Sequence, residues 1–204
     1  MRPHPHGRPN GEEHQRLKGL DTSSGQEVYL RGGGCIARPK GGLKVEVYLA
    51  REGDVPGLVD LWLDMMRDHE GFEPRLRLTS AAGFAYQSYL TLHLRSPKSI
   101  VVLAREGGRT AGFCCAYVCQ NLPMFLPAEF GYVSDLFVLP DFRRQGVGTA
   151  LLSRATEFFK AAGVACAQLQ VYRQNESGRA FWEGKGFEPF FDRMWLDLDE
   201  NDEK

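Results

Sequence analysis

Polar and apolar residues alternate through residues 44–49, Lys44-Val45-Glu46-Val47-Tyr48-Leu49, with the period of a strand that buries one face. The period then lengthens. Asp54 stands where a helix N-cap is wanted, and Val55, Leu58, Val59, Trp62, Met65 and Met66 fall on one helical face, with Asp60, Asp64 and Arg67 elsewhere. A second helix is predicted over residues 80–94, with Phe84, Tyr89, Leu90 and Leu94 on its inner side. The apolar runs at 100–104 and 111–119 flank Gly107-Gly108, a two-residue hairpin signal, and predict two antiparallel strands. A further strand at 130–138 stops at Pro140, and Val147, Leu151, Leu152, Ala155, Phe158, Phe159 and Ala162 repeat at helical spacing until Gly163. Ala167, Leu169 and Val171 alternate with Gln168, Gln170 and Tyr172 as a strand; residues 177–183 read as a short helix ended by Gly184 or Gly186. Residues 187–198 have room for one or two more strands.

The resulting order, β-α-α-β-β-β-α-β-α-β, predicts an α/β (α+β) domain with a mixed sheet and helices on both faces. A chain of 204 residues is long enough for one such domain, and 43% hydrophobic with 25% charged residues is ordinary globular composition. Residues 1–43 are rich in Gly and Pro and poor in aromatic residues, so they are read as a flexible N-terminal extension, with 44–200 as the folded domain. A short strand near residues 27–30 is the one element that extension offers. His4 and His6 in it read as solvated side chains rather than metal ligands.

Charge and cysteine usage narrow the partners. The net charge of −1, with no basic run, gives no footprint for nucleic acid or a membrane surface. No stretch reaches 18 apolar residues and the N-terminus lacks a signal-peptide core, so a cytoplasmic location is expected. Five cysteines, Cys35, Cys114, Cys115, Cys119 and Cys166, have no zinc-ligand spacing and read as free thiols; no metal site is expected.

The chemistry concentrates after the strand at 130–138. Its continuation, Arg143-Arg144-Gln145-Gly146-Val147-Gly148-Thr149, turns into a helix. The first turn of a helix leaves backbone N–H groups unpaired and carries the positive end of the macrodipole, so it attracts anions. Gly146 and Gly148 hold no side chain that would keep a pyrophosphate off those donors, and the arginines add charge-assisted hydrogen bonds. Leu151 breaks a dinucleotide fingerprint and no Gly-Lys-Ser/Thr is present for a P-loop, which leaves R-x-x-G-x-G opening a helix.

That stretch resembles the Q/R-x-x-G-x-G/A signature of the Gcn5-related N-acetyltransferase (GNAT) family. About 30 residues later, Asn175, Phe181, Gly186 and Phe187 stand at the spacing of the family's Asn-x-x-Ala-x-x-Phe-Tyr-x-x-x-Gly-Phe segment. With the order of elements, the resemblance covers residues 44–198. It implies a mostly antiparallel sheet of six to seven strands and acetyl-coenzyme A as co-substrate, with the acetyl group passing to a primary amine of a small molecule, amino-acid derivative or peptide. It also implies that Phe137 and Val138 offer backbone groups to the acetyl-pantetheine arm and that Arg143, Arg144, Gln145, Gly146, Val147, Gly148 and Thr149 hold the phosphates. Asn175 is implied to contact the arm, although an Asn there is equally a helix cap. Homodimers are frequent in such families.

The resemblance breaks at the proton chemistry. An amine attacks only when neutral, and at a pKa of ~10.4 only about one molecule in a thousand is neutral at pH 7, so a proton acceptor is needed. Where the family often has Glu and Tyr, this chain has Ser134 and Trp182; a serine hydroxyl holds no proton as a base and an indole N–H is no acid at neutral pH. Asp135 is the nearest carboxylate and either accepts the proton, directly or through water with Ser134 beside it, or is structural. Tyr172 and Tyr132 are the available proton donors. The interhelical stretch Asp68-His69-Glu70-Gly71-Phe72-Glu73-Pro74-Arg75 either receives a cationic amine or is solvated surface. The two departures keep open a second class of function, a coenzyme-A-binding sensor or partner domain without catalysis.

Overall fold

The computed structural model describes residues 28–31, 34–37 and 45–198, the first two stretches as backbone only. The strands follow one another across a single sheet in chain order: β1 (Val28–Arg31), β2 (Gly34–Ala37), β3 (Val45–Leu49), β4 (Ser99–Glu106), β5 (Arg109–Gln120), β6 (Glu129–Val138) and β7 (Ala167–Leu169). Every pair is antiparallel except β6 with β7, which is parallel. The mixed, mostly antiparallel sheet is therefore present, with five strands between residues 45 and 169 and a hairpin, β1–β2, added at the β3 edge. That hairpin falls inside the stretch read as an extension; residues 1–27, with His4 and His6, and 199–204 lie outside the described residues.

Among the described residues four helices accompany the sheet: α1 (Val55–Phe72), α2 (Ala82–Arg95), α3 (Val147–Ala161) and α4 (Glu176–Glu183). One hydrophobic cluster joins α3 to Val45, Val47, Val102, Ala104, Cys114 and Ala116; a second joins α1 and α2 to Val101, Leu103, Phe113 and Cys115. Adjacent residues of β4 and β5 thus enter opposite clusters, which is why those strands read as continuous apolar runs rather than alternating ones. Gly107 and Gly108 have φ of +56° and +85°, the pair of positive values a type I′ turn needs, so the hairpin forms where the sequence placed it.

Several expectations change. Asp54 occupies the N-cap of α1 but makes no side-chain cap bond; its carboxylate instead accepts from Arg51 N at 2.8 Å and Arg105 Nη2 at 2.6 Å, because a guanidinium from β4 outcompetes the helix amides. Phe84 is exposed, not inward: the Cβ position of Gly83 points at Val59 and Leu63 of α1, the phase of α2 in which Tyr86 and Leu90 are buried. β7 is three residues long, and residues 187–198 form no strand. With so short an edge to pair against, that segment is held by side chains instead: Arg173 with Asp192, Arg193 with Gln170, and Arg75 over the Trp195 ring.

Candidate active site

β6 carries an irregularity that organises everything around it. Cys115 and Ala116 of β5 pair with Asp135 and Val133, so Ser134 is an extra residue in the ladder. Such a bulge bends a strand and changes which face the following residues address. Val133 accordingly belongs to the α3 cluster, whereas Phe137 belongs to the α1–α2 cluster. Pairing between β6 and β7 is confined to Gly131, Tyr132 and Val133 opposite Ala167, Gln168 and Leu169. From Ser134 to Val138, β6 runs on with no strand on that side among the described residues. The two strands part at the bulge, and the backbone of Ser134–Val138 lines one arm of the fork.

Asp135 sits where the fork opens and is buried, the single buried charged residue among those described. Desolvation pushes its pKa up to about 6, against Ser134, Tyr86 and Trp62, which favour the charged form. Ser134 Oγ lies 2.7 Å from Asp135 Oδ2 and 3.1 Å from the Cys115 carbonyl. Tyr86 Oη is buried without a partner in full hydrogen-bond geometry, so its pull on the carboxylate is weak. A carboxylate with a pKa near 6 is ionised at neutral pH yet basic enough to take a proton.

Beyond Val138 the chain makes a 3-10 turn at Pro140–Phe142 and enters α3 at Gly146. Arg144 and Gly146 both take left-handed conformations, φ +64° and +83°, and no side chain caps α3 or places an acid in its first turn. The amides of Val147, Gly148 and Thr149 therefore keep the unpaired donors and positive potential of a helix start. A Cβ on Gly148 would stand in ordinary van der Waals contact with Phe181 at 3.4 Å and Leu136 at 3.6 Å, where α4 lies against α3. Gln145 donates to the Asp141 carbonyl at 2.7 Å and braces the turn. Arg144 is exposed. Arg143 donates from Nε to the Val138 carbonyl at 2.8 Å and from Nη2 to Asp68 at 2.9 Å, and its guanidinium lies 5.6 Å from the Phe137 ring centre. The corner suits a diphosphate: bare amides, glycine at the closest approach and two arginines at the rim.

The α1–α2 side of the fork is aromatic. Trp62 stacks on Tyr86 at 4.2 Å, and the row continues through Tyr89, His93, Tyr117 and Tyr132 at centroid spacings of 5.5, 4.3, 4.6 and 5.6 Å. His93 Nδ1 is fixed by Ser99 Oγ at 2.8 Å, and burial lowers the pKa of its ring. Across the fork, Tyr172 packs 5.4 Å from His69, whose buried Nδ1 has no partner and whose pKa desolvation lowers. Burial, then Glu73, raises the pKa of Tyr172.

A family model described as Acetyltransferase (GNAT) family matches residues 58–187, a span that contains the fork, the α3 corner and α4. The chain belongs to the GNAT acetyltransferase family. It is 30% identical over 105 residues to the uncharacterized N-acetyltransferase YhfO of Bacillus subtilis, a match covering 50% of this chain and 67% of that one. Matches of this kind span 35% to 67% of the length of the curated relatives. The fold is that of a predicted acetyltransferase from Clostridium acetobutylicum solved with acetyl-CoA, at TM-score 0.65 and 19% identity over 78% of this chain and 99% of that one. It is likewise that of the aminoglycoside N-acetyltransferase AAC(6')-Iy in complex with CoA, at TM-score 0.60 and 16% identity over 78% and 97%.

Within this GNAT fold, the residues picked out from sequence divide into three groups. Ser134, Asp135, Phe137, Val138 and the loop 143–149 lie along one continuous path, from the bulge to the helix start. Asn175 caps α4, accepting from Gly178 N at 2.9 Å, and Trp182 is packed between Phe181 and Phe187. Tyr172 stands on the opposite arm beside His69. The sequence reading missed Trp62, Tyr86, His93 and Tyr117, although Tyr86, Tyr89 and His93 recur at helical spacing; aromatic residues in that pattern read as ordinary core. It also missed that Asp68 is paired with Arg143 across 75 positions of chain.

Proposed function

We propose that residues 44–200 form an N-acetyltransferase domain that moves the acetyl group of acetyl-coenzyme A to a primary amine of a small molecule, amino-acid derivative or peptide, by direct attack on the thioester. The observation that carries the reading is the path just described. A buried carboxylate stands at the mouth of a strand fork whose backbone edge, its Val138 carbonyl held by Arg143, leads to an uncapped helix N-terminus. Acetyl-coenzyme A supplies an acetyl group activated as a thioester. The chain's part is to bind, orient and move protons. Val147, Gly148 and Thr149 offer amides to the diphosphate, with Arg143, Arg144, Gln145 and Gly146 at the rim. Phe137 and Val138 present main-chain groups to the pantetheine arm, and Asn175, which caps α4, is the further contact to that arm.

Asp135 takes the proton that the incoming ammonium must lose, with the Ser134 hydroxyl, 2.7 Å from Asp135 Oδ2, as a relay. A positioned base of this kind contributes ~10²- to 10⁴-fold in rate. Tyr172 is the donor available to the departing sulfur. The balance is simple: ammonium plus thioester gives amide, free thiol and one proton to solvent.

Titration calorimetry with acetyl-CoA, followed by a free-thiol assay over a broad amine panel, tests this reading. Micromolar binding with amine-dependent thiol release is expected. Binding without release from any amine overturns transfer and leaves a coenzyme-binding module; no binding overturns the cradle itself.

A further inference from the structure

The aromatic row on the α1–α2 face runs from the core out to partly exposed rings, and its composition bears on which amine enters. Tyr117 and Tyr132 are a cross-strand pair of β5 and β6, just before the bulge that leads to Asp135. His93 and Tyr89 of α2 lie against Tyr117, and Tyr86 with Trp62 closes the row beside the carboxylate. Trp62, Tyr89, His93, Tyr117 and Tyr132 all keep part of their surface exposed. A half-exposed shelf of rings, ending at one buried carboxylate, matches a ligand with a flat apolar body and a single cationic end.

The charged groups nearby argue in the same direction. Asp68 is held by Arg143, and Glu73 receives two guanidinium bonds from Arg75 at 2.6 Å each. The positive charge of Arg193 acts on both Tyr132 and Tyr172, at the open side of the fork. An acceptor with several ammonium groups would meet that guanidinium and find Asp68 and Glu73 of the loop already paired. A monoamine would meet Asp135 alone.

Resting on the acetyl-transfer reading above, we propose that the acceptor is an arylalkylamine, its ring laid along the Tyr89, His93, Tyr117 and Tyr132 shelf and its amine directed to Asp135. The test is steady-state thiol release with 2-phenylethylamine, tryptamine, kanamycin and a lysine-containing peptide. The arylalkylamines should exceed kanamycin and the peptide by at least tenfold in kcat/KM. Tyr117→Leu should raise KM for tryptamine tenfold or more, with acetyl-CoA affinity and Tm kept close to wild type, and Tyr117→Phe should restore KM to within about twofold, since the ring and not the hydroxyl is the contact. Preference for kanamycin or the peptide, or an unchanged KM in Tyr117→Leu, overturns the substrate class while leaving acetyl transfer standing. Acetyl-CoA binding without thiol release from any of the four amines, or from a broader panel, overturns both.

Discussion

The helix start at residues 143–149 and the aromatic shelf across the fork are both places to hold a ligand, but they are built from different materials. The first is main chain. Its donors are amides of Val147, Gly148 and Thr149, its shape comes from left-handed Arg144 and Gly146, and all of it lies within seven consecutive residues. The second is side chain, gathered from α1, α2, β5 and β6, over positions from 62 to 135. A main-chain site depends on local conformation and tolerates drift in the rest of the sequence. A side-chain site depends on the whole fold and changes whenever one contributor does. A chain can therefore keep a family's way of gripping the coenzyme while altering what it acetylates and how the proton leaves.

Substitutions at the two regions should separate accordingly. The largest effect is expected from Gly148→Trp. Its Cβ begins in contact with Phe181 and Leu136, so the indole both crowds the amides and pushes α4 from α3. Acetyl-CoA affinity should fall more than a hundredfold by calorimetry, and Tm should fall as well; an unchanged affinity breaks the main-chain half of the contrast.

Asp135→Asn comes next and should leave acetyl-CoA affinity within about threefold while lowering kcat by ~10²-fold or more. The acid limb of the wild-type kcat/KM profile, centred at a pKa about 6, should vanish with it. The same substitution has a stability signature whose sign follows from the direction of the shift. The folded carboxyl titrates above its unfolded value, so the native state carries no penalty below the unfolded pKa, and stability is lost as pH rises through about 6. Asp135→Asn should accordingly match wild type in Tm near pH 4 and exceed it at pH 8, the gain in stability there reaching about 3 kcal/mol at ~1.4 kcal/mol per pKa unit. Equal Tm values at both pH values would mean that the carboxylate is solvated rather than buried.

Arg143→Ala is expected to be the mildest. Its bond to Asp68 is solvent-exposed and contributes ~0–1 kcal/mol to the fold, so Tm should hardly move. Acetyl-CoA affinity should weaken three- to tenfold and become less sensitive to salt, because one phosphate contact goes. A large loss of Tm would show instead that the Asp68 link organises the acceptor loop.

Legibility followed the same division. The strands at 100–104, 111–119 and 130–138 and the helix from 146 were readable because burial on both faces, paired glycines and helical spacing are local signals. Asp54 was placed rightly at the N-cap, but its capping bond, the facing of Phe84 and a strand over residues 187–198 were misread where a distant partner decided the outcome: Arg105 for the cap, α1 for the phase of α2, and a three-residue β7 for the last strand. Ser134 in place of a family glutamate was visible as a departure. The bulge that makes Ser134 an extra residue, and so turns Asp135 toward Tyr86 and Trp62, was not, since a bulge is defined by its partner strand.

By itself, then, the sequence determined the alternation of elements, the glycine-opened helix and the supply of charge beside it, because backbone conformation and helix dipoles answer to neighbours in the chain. The tertiary structure alone decided where β6 and β7 separate, which carboxylate is dehydrated enough to titrate near neutrality and which rings line the approach to it. Dehydration and ring stacking are properties of packing between residues far apart in sequence, and no local pattern encodes them.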